Sequence, residues 1–209
     1  MYLVRMTPRD RMEETILDAA LERILQVGIR RASLDDIARR AGVNRVTIYR
    51  RFRVKENLVD AVLQREIGRV LAEVGQITAS TPGLSAQIEE AALFIIRQTR
   101  THPLVTQLLT VVPEEAVEFY TVRGKDLVGL GIWYIDVILR RSQEHGMIGD
   151  YDPQPVAEFL ARFAHSLLLT PLGGVNFEDD RLAREFVRSA IVPIVLHGLT
   201  SPPDPSDRP

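Results

Sequence analysis

The hydrophobic positions of this chain recur with a helical period along nearly its whole length. In the first segment the apolar residues repeat at spacings of three and four, which places them on one face of a helix. These residues are Ile16, Ala20, Leu21, Ile24 and Leu25. Apolar runs such as LFII and IVPIV lie inside longer helical periodicities, and no Asn-Gly or Asp-Gly hairpin turn occurs. The pattern therefore predicts an all-α protein.

Capping residues, glycines and prolines divide this pattern into separate helices. Gly28 is placed to end the first helix, and Ser33 followed by Asp36 has the capping-box spacing that opens a second. Gly42 ends the second helix, and Asn44 can cap a third. The later helices are predicted at 56–79, 85–101, 103–110, 114–121, 125–145, 154–170 and 178–199.

Charge is distributed unevenly along the 209 residues, whose formal net charge is -2. Residues 1–56 contain 13 Arg or Lys against 8 Asp or Glu, a surplus of five positive charges, so the remainder carries a surplus of seven negative charges. This asymmetry indicates a basic module for a polyanion joined to an acidic body with another task. A surplus of five is weak evidence when taken alone.

The chain has no cysteine, which excludes disulfides, thiolate nucleophiles and the usual zinc and iron–sulfur ligand sets. The four histidines lie on separate predicted elements, without any short metal-binding spacing. No nucleophile elbow, phosphate-binding glycine loop or dinucleotide fingerprint is present. We therefore expect no metal, no cofactor and no enzymatic activity. No apolar run is long enough for a membrane helix and no secretory signal is visible, so we expect a cytoplasmic protein without a membrane partner.

The segment SLDDIARRAGVNRVTIYRRF, residues 33–52, has the pattern of a helix-turn-helix. Ala38 is small enough for two helices to cross closely, Gly42 permits the turn, and Ile48 fills the wedge between the helices. Small-residue corners are common in all-α proteins, and arginine-rich surfaces are often simply solvated. On the helix-turn-helix interpretation, the third helix presents an outward face suited to the major groove of DNA.

The residues of that outward face have side chains suited to different parts of DNA. Arg45 and Arg50 could each donate two hydrogen bonds to a guanine edge, and Val46 or the Thr47 methyl group could contact a thymine methyl group. Phosphates are better suited to hydroxyl groups, an ammonium group and helix amino-terminal amides. The predicted phosphate contacts are Ser33, Thr47, Tyr49 and Lys55.

These residues resemble the tetracycline-repressor (TetR) family of bacterial transcription regulators over roughly residues 9–60. The family pattern is matched by Gly28, Ser33, Asp36-Ile37-Ala38, Ala41-Gly42-Val43, Ile48-Tyr49, Phe52 and Lys55-Glu56-Asn57-Leu58. The chain departs from the pattern at Val46, where relatives often have a small residue, and at Arg50-Arg51. These departures leave the fold intact and concern the base preference.

The resemblance implies a DNA-binding domain followed by a helical body that binds an effector and dimerises. We predict residues 1–56 as the helix-turn-helix domain, 57–200 as the body and 201–209 as a disordered tail. The family's last two long helices pair with those of a second subunit, which here implies a homodimer through 154–170 and 178–199. Wide apolar stripes on both segments agree, although packing inside a monomer is the alternative. A symmetric dimer would place its recognition helices about 34–36 Å apart on a palindromic operator.

The apolar segments at 92–99 and 127–139 are the predicted walls of the effector cavity. Their apolar residues extend around most of each helix, which predicts that both helices are buried. Phe94, Trp133 and Tyr134 could line the cavity, and Gln98 and Asp136 could orient a polar group of the effector. Ordinary core packing is the alternative for the aromatic residues. For Asp136 the alternative is an ion pair with Arg140, four residues later.

The sequence therefore predicts a homodimeric, ligand-responsive DNA-binding regulator. A repressor that leaves a palindromic operator when a small hydrophobic effector binds is the main hypothesis, and the long helix from residue 56 is the expected lever. The alternative is a helical small-molecule-binding protein or enzyme that lacks DNA function. The effector, the operator, the regulated genes and the choice between repressor and activator are not determined by the sequence.

Overall fold

The computed structural model describes residues 8–122 and 124–199, and this part of the chain is helical without a strand. The helices are α1 (Pro8–Val27), α2 (Leu34–Arg40), α3 (Arg45–Phe52), α4 (Lys55–Ser80), α5 (Leu84–Thr101), α6 (Pro103–Val111), α7 (Pro113–Val122), α8 (Gly124–Glu144), α9 (Pro153–Leu169), α10 (Asp180–Phe186) and α11 (Val192–His197). The all-α prediction is confirmed. The predicted tail, 201–209, lies outside the described residues.

The end of α1, both ends of α2 and the start of α3 lie where the capping pattern predicts. The Ser33 hydroxyl oxygen accepts a hydrogen bond from the Asp36 amide at 3.2 Å, and the Asn44 side chain accepts one from the Val46 amide at 2.8 Å. Each bond satisfies an amide that has no partner within its own helix. Gly42 lies between these helices at φ 66°, a backbone conformation that favours glycine.

The described residues form two compact units, and the domain boundary between 56 and 57 stays a prediction. Unit 1 contains the described residues through Ala72 together with His102–Phe119, and unit 2 contains Glu73–Thr101 and the described residues from Tyr120 onward. Unit 1 continues beyond residue 56 because the first half of α4 buries Leu58 and Val62 in its core and because α6 packs on α1. A sequence motif could not show this, since α6 lies far from α1 along the chain.

Unit 1 has a core in which α1 to α4 and α6 all contribute fully buried side chains. The largest of these are Ile16, Ile24, Ile37, Ile48, Leu58, Leu108 and Val62. Ala38 is buried where α2 and α3 pack together, in agreement with its predicted position at the helix crossing. This core holds α3 by its inner face and leaves its other residues at the surface.

Unit 2 is built on the pair of α8 and α9 and on the packing of α5 against α9. Its apolar cluster contains the buried residues Ile96, Leu167, Val187, Ile191 and Val192. A π-helical turn, Val187–Ile191, joins α10 to α11, so the predicted single helix over 178–199 is wrong in detail. Pro193 explains the irregularity, because proline has no amide hydrogen to continue regular α-helical bonding.

The helix α8 is exposed along one face, which contradicts its predicted burial. Trp133 is 62% exposed, and Val137 and Ile138 are also exposed. The face toward α9 is closely packed instead: a Cβ added at Gly131 would lie 3.4 Å from the Cβ of Ala161. Within residues 8–122 and 124–199, no helix combines the length and apolar character needed to cross a membrane.

Candidate functional site

The candidate DNA-contacting surface is the outward face of α3. Ile48 and Phe52 are buried and fix the helix against unit 1, while Val46 is 68% exposed. Arg45, Tyr49 and Arg50 are also exposed, and Thr47 is half-buried. The structure therefore brings the five residues predicted on this helix to one accessible surface. A short helix with cationic and apolar side chains on its outer face fits the dimensions of the major groove.

Arg45 is held by two neighbours at the amino end of this surface. Its Nε atom lies 2.8 Å from Oδ1 of Asp35, a residue of α2 without a predicted role. Its guanidinium carbon lies 5.2 Å from the centre of the Tyr49 ring, one helical turn away, in a cation–π arrangement. The position of Asp35 in the first turn of α2 was visible in the sequence, but its pairing with Arg45 depends on how the two helices cross.

The two consecutive arginines at 50 and 51 point to different surroundings. Arg51 forms an ion pair with Glu13 of α1 and is only 22% exposed, so it joins α3 to α1. Arg50 is exposed, and across the described ranges no carboxylate lies within 4.0 Å of its guanidinium. Of this basic pair, Arg50 is therefore the one whose guanidinium is exposed without a carboxylate partner in the described ranges.

Asp36, on the helix that precedes the candidate surface, forms ion pairs with three arginines. Its carboxylate pairs with Arg23 of α1 and with Arg39 and Arg40 of its own helix. Desolvation alone would raise the pKa of Asp36, but the hydrogen bond from Arg39 and the charges of the three arginines lower it below its ordinary value. The pair with Arg23 attaches α2 to α1. Part of the positive charge of these three arginines is therefore already neutralised by Asp36 and is not available to a polyanion.

The predicted phosphate contacts Ser33 and Lys55 both have structural bonds as well. The Ser33 hydroxyl caps α2, and its oxygen accepts the Asp36 amide, so its own hydrogen is free to be donated. The Lys55 ammonium group donates to the Arg30 carbonyl oxygen at 3.0 Å and has two further hydrogens. Each group is thus held in place by one hydrogen bond and keeps at least one hydrogen that it can donate to a phosphate.

Arg30 connects the turn after α1 to α7 within unit 1. Its amide donates to Oε1 of Glu115 at 2.7 Å, and its guanidinium pairs with Glu118. Gly28 lies nearby at φ 84°, and a Cβ there would come within 2.8 Å of the Val112 side chain. The segment 102–119 is therefore fastened to the end of α1 and, through the Arg30 carbonyl, to Lys55.

The five predicted effector residues have different surroundings in unit 2. Phe94, Gln98 and Tyr134 are half-buried, as residues of a cavity wall could be. Trp133 does not line an interior cavity, because its face of α8 is exposed. Asp136 accepts two hydrogen bonds from Arg140, at 2.8 and 2.9 Å, so the simple ion pair is present. A recess of about 260 Å³ between α5 and α10 has other residues in its walls.

Residues 16–62 match the family described as "Bacterial regulatory proteins, tetR family". The chain is also similar to the HTH-type transcriptional activator FasR of Mycolicibacterium smegmatis, with 33% identity over 102 residues. That segment covers 47% of each protein, so the chain spans about half the length of this relative in the alignment. The family match includes the whole α2–α3 motif and the start of α4.

Similarity to solved structures extends over most of the chain. The TetR family repressor AlkX from Dietzia sp., implicated in biodegradation of n-alkanes, superposes with a TM-score of 0.64 at 21% identity, covering 91% of this chain and 96% of AlkX. The regulator FadR from Bacillus subtilis, in complex with stearoyl-CoA, gives a TM-score of 0.53 at 17% identity, covering 90% and 99%. At such identities the similarity concerns the fold alone.

Proposed function

Because this chain belongs to the TetR family of DNA-binding transcriptional regulators, we propose that it binds a palindromic operator as a homodimer and releases it when a small hydrophobic effector binds. The observation that carries the proposal is the α3 surface, where Arg50 has no carboxylate partner in the described part of the chain. Its site of action is the cytoplasm, where bacterial DNA lies.

On this proposal the α3 surface divides its contacts between bases and phosphates. Arg45 and Arg50 donate to guanine edges, and Val46 or Thr47 contacts a thymine methyl group. Ser33, Thr47, Tyr49 and Lys55 bind the phosphates that flank these bases. Base contacts determine which sequence is bound, whereas phosphate contacts determine position and strengthen binding to any duplex.

The homodimer is proposed to form through 154–170 and 178–199. Exposed apolar side chains on and beside these segments support this, because a single chain leaves them in water. They are Phe159, Leu169, Leu172 and Leu199. A twofold pairing would bury them and would present two α3 helices to successive major grooves about 34–36 Å apart.

A hydrophobic effector is proposed from the apolar character of unit 2. Phe94, Gln98 and Tyr134 remain candidate contacts because they are half-buried, and Trp133 is withdrawn because its side chain is exposed. Two structures with the same fold are those of AlkX, implicated in biodegradation of n-alkanes, and of FadR in complex with stearoyl-CoA. Both proteins support an apolar ligand class and do not identify the ligand of this chain.

Two chain segments are suited to carry the effector's influence to the α3 surface. The first is α4, which begins at Lys55 and continues beyond Ala72 into residues of unit 2. The second is 102–119, which is covalently continuous with unit 2 at both ends and is fastened to Arg30 by Glu115 and Glu118. An effector shifts the population only if its affinity differs between DNA-competent and DNA-incompetent conformers.

The proposal is tested by selecting bound sequences from a random duplex library with the purified full chain at physiological salt. Enrichment of one inverted repeat is expected, and its half-site spacing should correspond to about one helical turn. Uniform, strongly salt-dependent binding without enrichment would contradict operator recognition and favour a small-molecule-binding protein without DNA function. Release of the selected duplex by apolar compounds then tests the repressor mode, since the relative FasR carries the name of an activator.

A further inference from the structure

A cleft in unit 2 separates one face of α5 from α10 and the turn before it. Its α5 wall follows helical spacing, with Leu93, Ile96, Arg97, Arg100 and Thr101 along one face. The opposite wall contains Phe177, Glu178, Asp180, Ala183 and Arg184. The cavity volume is about 260 Å³, which is near the lower end of the range for small-molecule sites.

The inner part of the cleft is apolar and well supported. Ile96 and Ala183 are almost fully buried there, and Leu93 belongs to the same hydrophobic cluster. The Phe177 ring is held edge-on by two neighbours, with ring centres 6.2 Å from Phe163 and 5.2 Å from Phe186. Such packing keeps the ring in place, so a methylene chain would find a firm apolar surface.

Two arginines of α5 give the outer part of the cleft its positive charge. Among residues 8–122 and 124–199, no carboxylate lies within 4.0 Å of the guanidinium of Arg97 or Arg100. Arg184 differs, because it pairs with Glu89 and Glu90 of α5. The cleft therefore joins an apolar interior to two guanidinium groups that form no ion pair with a described carboxylate.

Two acidic residues also line the cleft and must be weighed against these cations. Glu178 and Asp180 are both exposed on the wall opposite α5. Water and salt screen the repulsion that an exposed carboxylate exerts on an anion. A guanidinium group that donates directly to the anion interacts more strongly than a solvated carboxylate repels it.

We propose that this cleft binds a single-chain amphipathic anion, with its carboxylate or phosphate head at Arg97 and Arg100 and its alkyl chain against Phe177 and Leu93. The planar guanidinium fork suits both head groups. Burial of the alkyl chain supplies the hydrophobic part of the affinity. The inference rests on the proposed function for its effector role, and it replaces Phe94, Gln98 and Tyr134 as effector contacts with residues of the cleft.

The test is isothermal titration of the full chain with dodecanoate and with dodecyl phosphate, each below its critical micelle concentration. Both anions should bind, and the two arms distinguish a carboxylate from a phosphate preference. Dodecyltrimethylammonium, which has the same chain and the opposite charge, should bind at least about tenfold more weakly, as expected for charged hydrogen bonds. Equal affinity for the cation would overturn the proposal, because it would show a purely apolar site.

Variants locate the head group. Arg97→Gln/Arg100→Gln should weaken both anions by about tenfold or more. The charge-matched control Lys125→Gln/Arg141→Gln removes two exposed cations of α8 and should leave the affinity unchanged. Unchanged affinity in the α5 variant would overturn the assignment of the head group to this cleft.

A second variant tests the apolar end without changing charge. Ala183→Leu fills part of the cavity and should reduce dodecanoate affinity while near-native circular dichroism shows that the fold is retained. Sedimentation velocity of Arg97→Gln/Arg100→Gln, the α5 variant, measures its oligomeric state in parallel. A change of oligomeric state with unaltered dodecanoate affinity would overturn the proposal and assign the cleft to a second copy of the chain.

DNA release separates this inference from the proposed function. Dodecanoate should lower the affinity of the full chain for its selected duplex, and the α5 variant should resist that effect while retaining duplex affinity. If dodecanoate binds in the cleft without releasing DNA, the ligand site stands and its effector role fails. If no duplex is selected but Arg97→Gln/Arg100→Gln reduces the dodecanoate affinity as expected, the proposed function fails and the cleft assignment stands.

Discussion

The Nε atom of Arg45, at the start of α3, lies 2.8 Å from Oδ1 of Asp35, at the start of α2. This ion pair links the two helices of the helix-turn-helix at their exposed ends. Its side chains are 67% and 47% exposed, so the pair contributes at most about 1 kcal/mol to stability. Its importance therefore concerns the direction of the Arg45 guanidinium, which Tyr49 also restricts.

Replacing Asp35 by Asn should reduce sequence discrimination while strengthening binding to random DNA. The substitution removes a charge that repels phosphates and releases one restraint on Arg45. We expect the ratio of operator to random-duplex affinity to fall about tenfold, which is within the usual value of one bidentate base contact. Fluorescence anisotropy on both duplexes measures this ratio. Glu144→Gln, which removes an exposed charge from α8, is the control, and an equal loss there would count against a specific role for Asp35.

Arg50→Ala and Arg51→Ala should have separable effects. Arg50 has an exposed guanidinium, so its loss should cost about 1–3 kcal/mol of operator discrimination and leave the melting temperature nearly unchanged. Arg51 pairs with Glu13, so its loss should reduce stability by up to about 1 kcal/mol and alter base preference little. Thermal melting and sequence selection on both variants provide the comparison. The opposite assignment of effects would refute the proposed α3 surface.

Lys55→Ala should weaken binding to all duplexes to a similar extent. Loss of one phosphate contact is expected to lower the slope of log affinity against log salt by about one. The measurement is operator and random-duplex affinity over a series of salt concentrations. Lys125, the other lysine of the chain, is exposed on α8 and supplies the control Lys125→Ala. A variant that changed only operator binding would place Lys55 among the base contacts.

Gly28→Ala should destabilise the protein more than Gly42→Ala. Both glycines have positive φ, so both substitutions introduce backbone strain of order 1 kcal/mol. At Gly28 the added Cβ would also lie 2.8 Å from the Val112 side chain, whereas no atom lies within 4 Å of a Cβ at Gly42. We expect an additional loss of about 1–3 kcal/mol at Gly28. Urea unfolding measures the free energy of unfolding of both variants. Equal losses would show that the Val112 side chain moves aside at little energetic cost.

Protonation of His102 should make unit 1 less stable in mild acid. Burial lowers the pKa of His102, and the opposing attraction of Glu66, whose Oε2 lies 3.7 Å from Nε2, is the smaller effect. Glu66 is itself paired with Arg65 and Arg69. The folded state therefore favours neutral imidazole, so its stabilisation is complete above the ordinary pKa near 6.5 and is lost as pH falls through the lowered value.

The variant His102→Asn tests this pH dependence and retains a good capping residue for α6. The His102 Nδ1 atom accepts the Leu104 amide at 3.3 Å, and an Asn side chain can accept the same bond. Unfolding free energy should fall from pH 7.5 to 5.5 more steeply in the native chain than in this variant. His197→Asn, at an exposed position, is the control. Parallel pH profiles for the native chain and His102→Asn would exclude His102 as the titrating group.

The sequence by itself determined the helical fold, the ends of the first helices and the outward face of α3. These features depend on interactions between residues close in the chain: Ser33 and Asn44 cap amides two or three residues ahead, and the helical period places Ile48 on the inner face of α3. The predicted DNA-contacting residues on α3 therefore lie together on one surface.

Only the tertiary structure decided which of these side chains are free and which segments meet. The pairing of Asp35 with Arg45 depends on the crossing of two helices, and the attachment of Glu118 to Arg30 joins residues 88 positions apart. The exposure of Trp133 likewise follows from the choice of α9 as the neighbour on the opposite face of α8. A helical period shows that a face is apolar, but it does not show what covers that face.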